Sequence, residues 1–225
     1  MNYDKYKINK RNFMKCRLCE GKLQFTFKKK IINKHIISYY KCDLCKSLQT
    51  EQPYWLDGLY NINNLEEVDF GSAYRLFRNQ EKVFILSKLL GLKKGLDWGG
   101  GDGILCRLLR DYCLNFYTID KFTNSTYSNH FIIKDYNSLD LITSFEVFEH
   151  LSKPKEDIDF LFSLNAKTIF ISTKLYKNQN EDWDYLYPDC GTHIFFYSQN
   201  SLELIAKKYK YNVKILNNEY ALFYR

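Results

Sequence analysis

At 225 residues and 45% hydrophobic content, the chain can bury one substantial core and one small appendage, but not two full domains. No window approaches the roughly 18 consecutive apolar residues of a membrane span, and the opening Met1-Asn2-Tyr3-Asp4-Lys5 has no apolar signal-peptide core, so a cytoplasmic protein is expected. The net charge of +7 comes from lysines scattered along the chain rather than gathered in one stripe, which weighs against a nucleic-acid partner.

The first predicted element is built on cysteines. Cys16-Arg17-Leu18-Cys19 and Cys42-Asp43-Leu44-Cys45 form a CxxC…CxxC pair with about twenty residues between, a spacing suited to tetrahedral thiolate coordination of zinc. Leu23, Phe25 and Phe27 alternate with polar residues, and Ile36, Ile37, Tyr39 and Tyr40 supply a second short strand, so the intervening stretch reads as a hairpin. Residues 1–52 are thus expected to form a zinc ribbon. Four thiolates leave no open position on the metal, which makes its role structural. Cys106, Cys113 and Cys190 stand outside this pattern and read as buried or incidental thiols, as His35 and His130 read as structural histidines.

Residues 53–94 read as a helical connector. Pro53-Tyr54-Trp55-Leu56 is aromatic and suits a domain seam, while Lys82 to Leu90 has the spacing of a buried helix. Tyr74, Arg75 and Arg78 fall on a separate helical segment just upstream. An arginine there, Arg78 in particular, is a candidate for a cofactor carboxylate or a substrate phosphate.

From residue 95 to 225 strands alternate with helices. Strands are predicted at Gly95 to Trp98, Asn115 to Asp120, Phe131 to Lys134, Asp140 to Val147, Thr168 to Lys174, Asn212 to Asn217 and Tyr220 to Arg225. Helices are predicted at Ile104 to Tyr112, Lys155 to Leu164 and Ser201 to Tyr209. The expectation is an α/β, Rossmann-like, doubly wound and mostly parallel sheet of seven strands, ending in an antiparallel hairpin because the last two strands have no room for a helix between them. Its first turn, Asp97-Trp98-Gly99-Gly100-Gly101-Asp102-Gly103, and the acid Asp120 closing the second strand form a seat for an adenosine-containing cofactor. The glycine spacing is GxGxG, with an acid before it, and so departs from the dinucleotide fingerprint GxGxxG.

These residues resemble those of class I S-adenosylmethionine-dependent methyltransferases, over about the last 130 residues. The resemblance implies that Asp97, Gly99, Gly101 and Gly103 shape the seat of the methionine part of the cofactor. It also implies that Asp120 accepts hydrogen bonds from the ribose hydroxyls, as a carboxylate facing a vicinal diol can. The run from Asp120 to Asp140 is too short for the usual helix pair, leaving Asp135 as the candidate for the adenine pocket.

A second constellation, Glu146-Val147-Phe148-Glu149-His150, ends the fourth strand, where open α/β sheets place their ligands. If the chain turns there, Glu146, Glu149 and His150 converge, and His193 opens onto the same side. Two carboxylates and two imidazoles suit Mg²⁺ or Mn²⁺. The E-x-x-E-H run resembles the metal motif of ubiquinone-pathway O-methyltransferases and, with a later histidine, the metal site of small-RNA 2'-O-methyltransferases. Between Tyr176 and Thr192 lies a long aromatic and polar loop carrying Trp183, Tyr185 and Tyr187, suited to stacking on a sugar. With His193-Ile194-Phe195-Phe196-Tyr197-Ser198 after it and a zinc ribbon before, the chain resembles small sugar methyltransferases of bacterial capsule and surface-polysaccharide pathways.

That resemblance implies methyl transfer to a sugar hydroxyl, with a nucleotide-linked sugar as the expected partner. A divalent ion on Glu146, Glu149, His150 and His193 would hold adjacent hydroxyls; without one, His193 or His150 is the base and Glu149 orients the ring. The competing readings are an RNA ribose 2'-O-methyltransferase, transfer to another atom type, and a zinc-ribbon adaptor with a degenerate core.

Overall fold

The computed structural model describes residues 14–59 and 71–225. Two sheets organise them. The larger joins β4 (Lys94–Trp98), β5 (Asn115–Ile119), β6 (Leu141–Phe145), β7 (Thr168–Ser172), β9 (Asn212–Leu216) and β10 (Tyr220–Tyr224) in the order β5-β4-β6-β7-β10-β9. The first four are parallel, and β10 runs antiparallel to both β7 and β9. Strand order reverses between β4 and β6, so the carboxyl ends of these two strands flank the crevice in which such sheets bind ligands.

The residues of the central strands alternate between two cores. Leu96, Ile142, Ile169 and Ile171 face a cluster with helices α4 (Pro154–Ser163) and α5 (Gln199–Tyr209), through Ile158, Leu161, Leu202 and Ile205. Phe116, Leu141, Phe145 and Phe170 point the other way, toward Val83 of helix α2 (Ser72–Leu90) and Leu105 and Leu109 of helix α3 (Ile104–Asp111). Near-continuous apolar strands are what burial on both faces requires.

Three expectations change. Phe131 to Lys134 does not form a strand: a 3-10 turn spans Asn129–Phe131, and only Ile132 bridges to Thr118. A parallel strand needs a crossover of a dozen or more residues, usually helical, and the connection after Asp120 is spent instead on packing against the glycine turn. The large sheet therefore has six strands rather than seven. Lys82 to Leu90 and the segment bearing Arg75 and Arg78 are one continuous helix, α2, which covers one face of the sheet. Asp135 pairs with Lys94 at 3.7 Å; Lys94 begins β4, so Asp135 lies at the end of the sheet opposite the crevice and cannot line an adenine pocket there.

The smaller sheet is a hairpin of β1 (Leu23–Ile31) and β2 (His35–Cys42), extended by β3 (Leu48–Thr50) and β8 (Phe195–Phe196). A bulge between Phe25 and Phe27 breaks the predicted alternation: Phe27 turns inward and stacks on Tyr39, while Phe25 is exposed. The last strand comes from the far end of the chain, so the cysteine-bearing hairpin and the α/β sheet interlock. Phe27, Ile37, Leu48 and Trp55 share one core with Tyr176, Tyr185, Ile194 and Phe196 of the aromatic loop and β8. Among the described residues, no helix is long and apolar enough to cross a membrane.

Asp97 is buried beneath the glycine turn, where its Oδ1 accepts a 2.8 Å hydrogen bond from the Thr143 hydroxyl. Burial, with a contribution from the Asp120 charge, pushes its carboxyl up to about 7. The folded state therefore holds this proton more tightly than the unfolded state does. Its contribution is fully present below about pH 4 and is lost as pH rises through about 7. At about 1.4 kcal/mol per pH unit the full effect is on the order of 4 kcal/mol. Asp97→Asn is expected to flatten the fall in stability between about pH 4 and pH 7, read from urea midpoints across that range; an unchanged slope would refute this assignment.

Candidate active site

The glycine turn follows β4 directly. Gly99 and Gly100 donate to the Ile119 carbonyl at 2.8 and 3.2 Å, which bends the chain across the end of β5. Gly99, Gly101 and Gly103 all have positive φ, as a left-handed turn demands. A Cβ on Gly101 would meet nothing within 4 Å, so this face of the turn is open to a close-fitting ligand, whereas one on Gly103 would meet Ser125 Oγ at 2.2 Å. Segment 121–130 supplies that neighbour by folding back on the turn: Ser125 Oγ donates to the Asp102 carbonyl and Ser128 Oγ to that of Gly103.

Asp120 stands where a ribose-binding acid is expected, and its carboxylate also ties the turn together. Its Oδ2 accepts from Gly101 N at 3.0 Å, and its Oδ1 from Phe122 N and Thr123 N at 2.8 and 2.9 Å. A carboxylate has about four acceptor positions, so Oδ2 retains capacity for one further donor. Gly103→Ala combines a left-handed strain of about 1–3 kcal/mol with a side-chain collision. It is expected to lose at least about tenfold in S-adenosylhomocysteine affinity, measured by calorimetry. Gly91→Ala has positive φ but open space around it and serves as the control for strain alone.

The second constellation converges at the carboxyl end of β6. Glu146 takes a left-handed conformation, with φ 54°, and Phe148–His150 forms a single 3-10 turn that brings Glu149 and His150 back over the sheet end. Ligating atoms of Glu149, His150 and His193 lie within 4.8 Å of one another. Each imidazole is held by a backbone carbonyl at Nδ1: His150 by Thr192 O at 3.1 Å, and His193 by Tyr185 O at 2.7 Å. A carbonyl can only accept, so this network assigns the proton to Nδ1 of the neutral ring and the lone pair to Nε2. Such outer contacts commonly orient metal-bound histidines.

Glu149 is fully buried. Its Oε1 accepts a 2.6 Å hydrogen bond from the Tyr185 hydroxyl, and its Oε2 has no hydrogen-bond partner. Burial pushes its carboxyl up, opposed by the Tyr185 bond, and burial reinforced by the Glu149 charge pushes the Tyr185 phenol well above its ordinary value. Tyr185 therefore remains a donor at neutral pH. An unpartnered buried carboxylate oxygen beside two imidazoles is a donor set that a divalent ion would satisfy. Burial also drives His193 well below its ordinary value, with the neighbouring His150 next in effect.

Glu146 sits beside this trio rather than within it. Its Oε1 accepts from Ser172 Oγ at 2.7 Å, and Oε2 is 3.4 Å from the Tyr185 hydroxyl. Burial and the Glu149 charge push it up to about 7, and Arg75 opposes this. Arg75, half buried on α2, is thus the arginine whose charge reaches the constellation. Arg78 is exposed, with its guanidinium 6.0 Å from the Tyr74 ring centre.

The aromatic loop is divided between support and surface. Tyr185 is 6% exposed and lies under Glu149, while Trp183 packs against Tyr176, Tyr185 and Phe196. The buried Tyr185 presents no open ring face of the kind stacking on a sugar requires. Tyr187, half buried like Trp183, has its ring 5.5 Å from that of His193. Trp55 Nε1 donates to Gly191 O at 2.8 Å and so steadies the Gly191–His193 stretch. Sequence periodicity carried no sign of this contact, because it joins residues 136 apart.

The four cysteines of the two CxxC pairs come together. Cys16 and Cys45 sulfurs are 3.7 Å apart, and those of Cys19 and Cys42 are 3.5 Å apart. Tetrahedral zinc with Zn–S of about 2.3 Å puts its sulfurs about 3.8 Å apart, so the cluster is compatible with zinc. Thiol hydrogen bonds from Cys16 and Cys45 hold the Cys19 thiol far down, to about 2, while the bonds among them push Cys16 and Cys45 up.

A family model described as a methyltransferase domain matches residues 71–214, well over half of the chain. No curated protein matches. Among solved structures, 1,6-didemethyltoxoflavin-N1-methyltransferase from Burkholderia thailandensis, with bound 1,6-didemethyltoxoflavin and S-adenosylhomocysteine, is similar at TM-score 0.53 and 11% identity, over 87% of this chain and 96% of that one. Magnesium protoporphyrin IX methyltransferase from Synechocystis PCC 6803, with bound S-adenosylhomocysteine, is similar at TM-score 0.51 and 14% identity, over 76% of this chain and 95% of that one. The methyltransferase domain of a bacterial Hen1 protein aligns at TM-score 0.46 and 18% identity, over 65% and 97% respectively. The glycine turn on β4, the reversal of strand order beside it and the family match across α2 to β9 all agree: the chain belongs to the methyltransferase domain family and is an S-adenosylmethionine-dependent methyltransferase.

Proposed function

We propose that the protein is a cytoplasmic O-methyltransferase whose acceptor is a sugar hydroxyl, on a nucleotide-activated sugar of a capsule or surface-polysaccharide pathway. We further propose that Glu149, His150 and His193 hold Mn²⁺ or Mg²⁺, with Glu146 alongside, and that Cys16, Cys19, Cys42 and Cys45 hold a structural zinc. The observation that carries the reading is the convergence of two Nδ1-anchored imidazoles on a buried carboxylate with an unpartnered oxygen. Its position at the carboxyl end of β6, next to the glycine turn on β4, supports a role in meeting the acceptor beside the methyl donor.

When bound, S-adenosylmethionine supplies the methyl group and leaves as S-adenosylhomocysteine. The chain's part is to align one acceptor hydroxyl and to provide for its proton. Alignment alone is worth several kcal/mol. Gly99, Gly101 and Gly103 give the donor its seat, Asp97 lies beneath that seat, and Asp120 closes it with one acceptor position left for a ribose hydroxyl. A divalent ion on the trio would lower the pKa of a hydroxyl it holds. Tyr185 keeps Glu149 in place, and the carbonyls of Thr192 and Tyr185 fix the two rings. In the absence of metal, Nε2 of His193 or His150 is the proton acceptor, with Glu149 orienting its neighbour. Tyr187, beside the His193 ring, and Arg75, whose charge reaches Glu146, are the side chains we assign to the acceptor.

The test uses metal-stripped second sites on zinc-loaded protein. S-adenosylhomocysteine binding is measured by calorimetry, and methyl transfer to a panel of nucleotide sugars is followed by product mass fragmentation. Transfer to a sugar oxygen that requires Mn²⁺ or Mg²⁺ supports the whole reading. Full transfer in chelator overturns the metal assignment and leaves the histidines as bases. Transfer to RNA instead, with affinity falling steeply with salt, overturns the acceptor assignment.

A further inference from the structure

Arg17 lies inside the first cysteine knuckle, yet its side chain does not turn to solvent. Two of its guanidinium nitrogens, Nε and Nη1, are buried without hydrogen-bond partners. The third, Nη2, donates to the Ile194 carbonyl at 2.6 Å and lies 3.4 Å from Thr50 Oγ1. Its backbone N–H donates to Gln49 Oε1 at 2.9 Å, and its guanidinium carbon stands 5.9 Å from the Phe195 ring centre. Leaving two donors unmade in the interior is costly. Stability alone therefore favours an apolar side chain here.

Ile194 is the node that gives this arginine a purpose. Its carbonyl also accepts from Thr50 N at 3.0 Å, and its own N–H donates to the Glu149 carbonyl at 2.9 Å. It directly follows His193. One residue thus joins the first knuckle to Glu149, through its N–H, and adjoins His193. The second knuckle grips the same stretch at its other end, where the Ser198 hydroxyl donates to the Cys45 carbonyl at 2.5 Å. Between these two grips runs β8, whose Phe195 and Phe196 pair with Gln49 and Leu48. The segment from His193 through β8 is therefore fastened to each half of the cysteine cluster.

We infer that Arg17 is a positioning residue: it transmits the order of the four-cysteine site, through Ile194, to the Glu149–His150–His193 site, so that metal on the cysteines is a condition for the second site's geometry. The inference rests on the proposed role of that trio, but its first readout does not. A four-thiolate zinc site would carry excess negative charge, which suits the buried guanidinium alongside; when the knuckle is released, the Ile194 carbonyl loses its charged donor and the His193–Ile194 segment its anchor. The path is short: cysteine knuckle, one side chain, one residue, trio.

The experiment compares zinc-loaded full-length wild type with Arg17→Met, which keeps length and bulk, and Arg17→Lys, which keeps the cation with a single donor group. Zinc content is measured first, then hydrogen exchange of peptides covering 190–197, with peptides covering 94–98 as an internal reference. Arg17→Met is expected to retain one zinc and the reference protection, while exchange of 190–197 accelerates at least tenfold; Arg17→Lys is expected to be intermediate. Mn²⁺ affinity, followed by electron paramagnetic resonance, is expected to fall at least tenfold in Arg17→Met, and kcat to fall with little change in S-adenosylhomocysteine affinity. Unaltered exchange of 190–197 in zinc-loaded Arg17→Met overturns the inference. If wild type binds no Mn²⁺ but the exchange difference persists, the metal reading of the trio fails while the coupling stands. If Arg17→Met loses zinc or unfolds throughout, Arg17→Lys decides: wild-type exchange of 190–197 in that variant overturns the inference, and selective acceleration supports it.

Discussion

Glu149→Gln is expected to reduce methyl transfer by at least about two orders of magnitude while leaving S-adenosylhomocysteine affinity within about twofold. The substitution preserves volume and leaves an oxygen to accept from the Tyr185 hydroxyl, now 2.6 Å from Oε1. What it removes is the negative charge beside His150 and His193, and with it the unpartnered carboxylate oxygen. Altering groups that merely support a metal ligand typically costs 10- to 100-fold in affinity or activity, so under the proposed role of Glu149 as a ligand the loss is expected to exceed that range. The glycine turn belongs to β4 and its cofactor seat is tied to Asp120, not to Glu149, which is why donor affinity is the control. Tyr185→Phe tests the same arrangement one step out. It strips Glu149 of its recorded side-chain donor in the interior and is expected to cost about tenfold in turnover. The measurements are initial rates against Mn²⁺ concentration and calorimetry with S-adenosylhomocysteine. Near-normal turnover in Glu149→Gln would remove the trio from the reaction.

The second large effect is expected from Cys42→Ala. Cys42 is fully buried, ends β2 and lies 3.5 Å from the Cys19 sulfur. Zinc on four thiolates contributes folding free energy of about 10–16 kcal/mol in isolated fingers, comparable with the whole stability of an ordinary domain, about 5–15 kcal/mol. Loss of one ligand is therefore expected to remove the metal and melt the smaller sheet. The damage should not stop there, because β8 is the fourth strand of that sheet and His193 lies just before it. The expected result is protein without zinc by atomic emission, with a substantially lower thermal midpoint and no measurable methyl transfer. Retention of full activity without zinc would show that the cysteine cluster is dispensable for the site. Cys113→Ala, an exposed thiol outside the cluster, is the matched control and should change neither stability nor rate.

Much of this site could be read along the chain because its parts are local. The glycine turn is five residues, 99–103, between a strand and a helix, and the left-handed angles at Gly99, Gly101 and Gly103 are those that only glycine adopts without strain. Glu149 and His150 are adjacent, and a strand end placed them at the crevice. His193 could be added on topology, since it follows β7 on the same side of the sheet. Tyr185 illustrates the limit. An aromatic residue in a long polar loop has the composition of a substrate platform, but its burial and its bond to Glu149 place it beneath the site. The sequence pointed to Arg78 rather than Arg75, one helical turn apart; only the packing of α2 against the sheet made Arg75 half buried, with its charge reaching Glu146, and left Arg78 exposed.

Local patterns, with spacings of two to four residues, determined the glycine turn, the knuckle pairs, the helices and the apolar strands, because each depends on near neighbours. Tertiary structure alone decided that β8 would close the smaller sheet, that Phe131 to Lys134 would bridge rather than form a strand, and that Arg17 would meet Ile194, 177 positions away. Such contacts form when loop closure is repaid by shared burial. Here the aromatic loop and the cysteine hairpin bury one common core, and that joint burial is what carries His193 to Glu149 and His150.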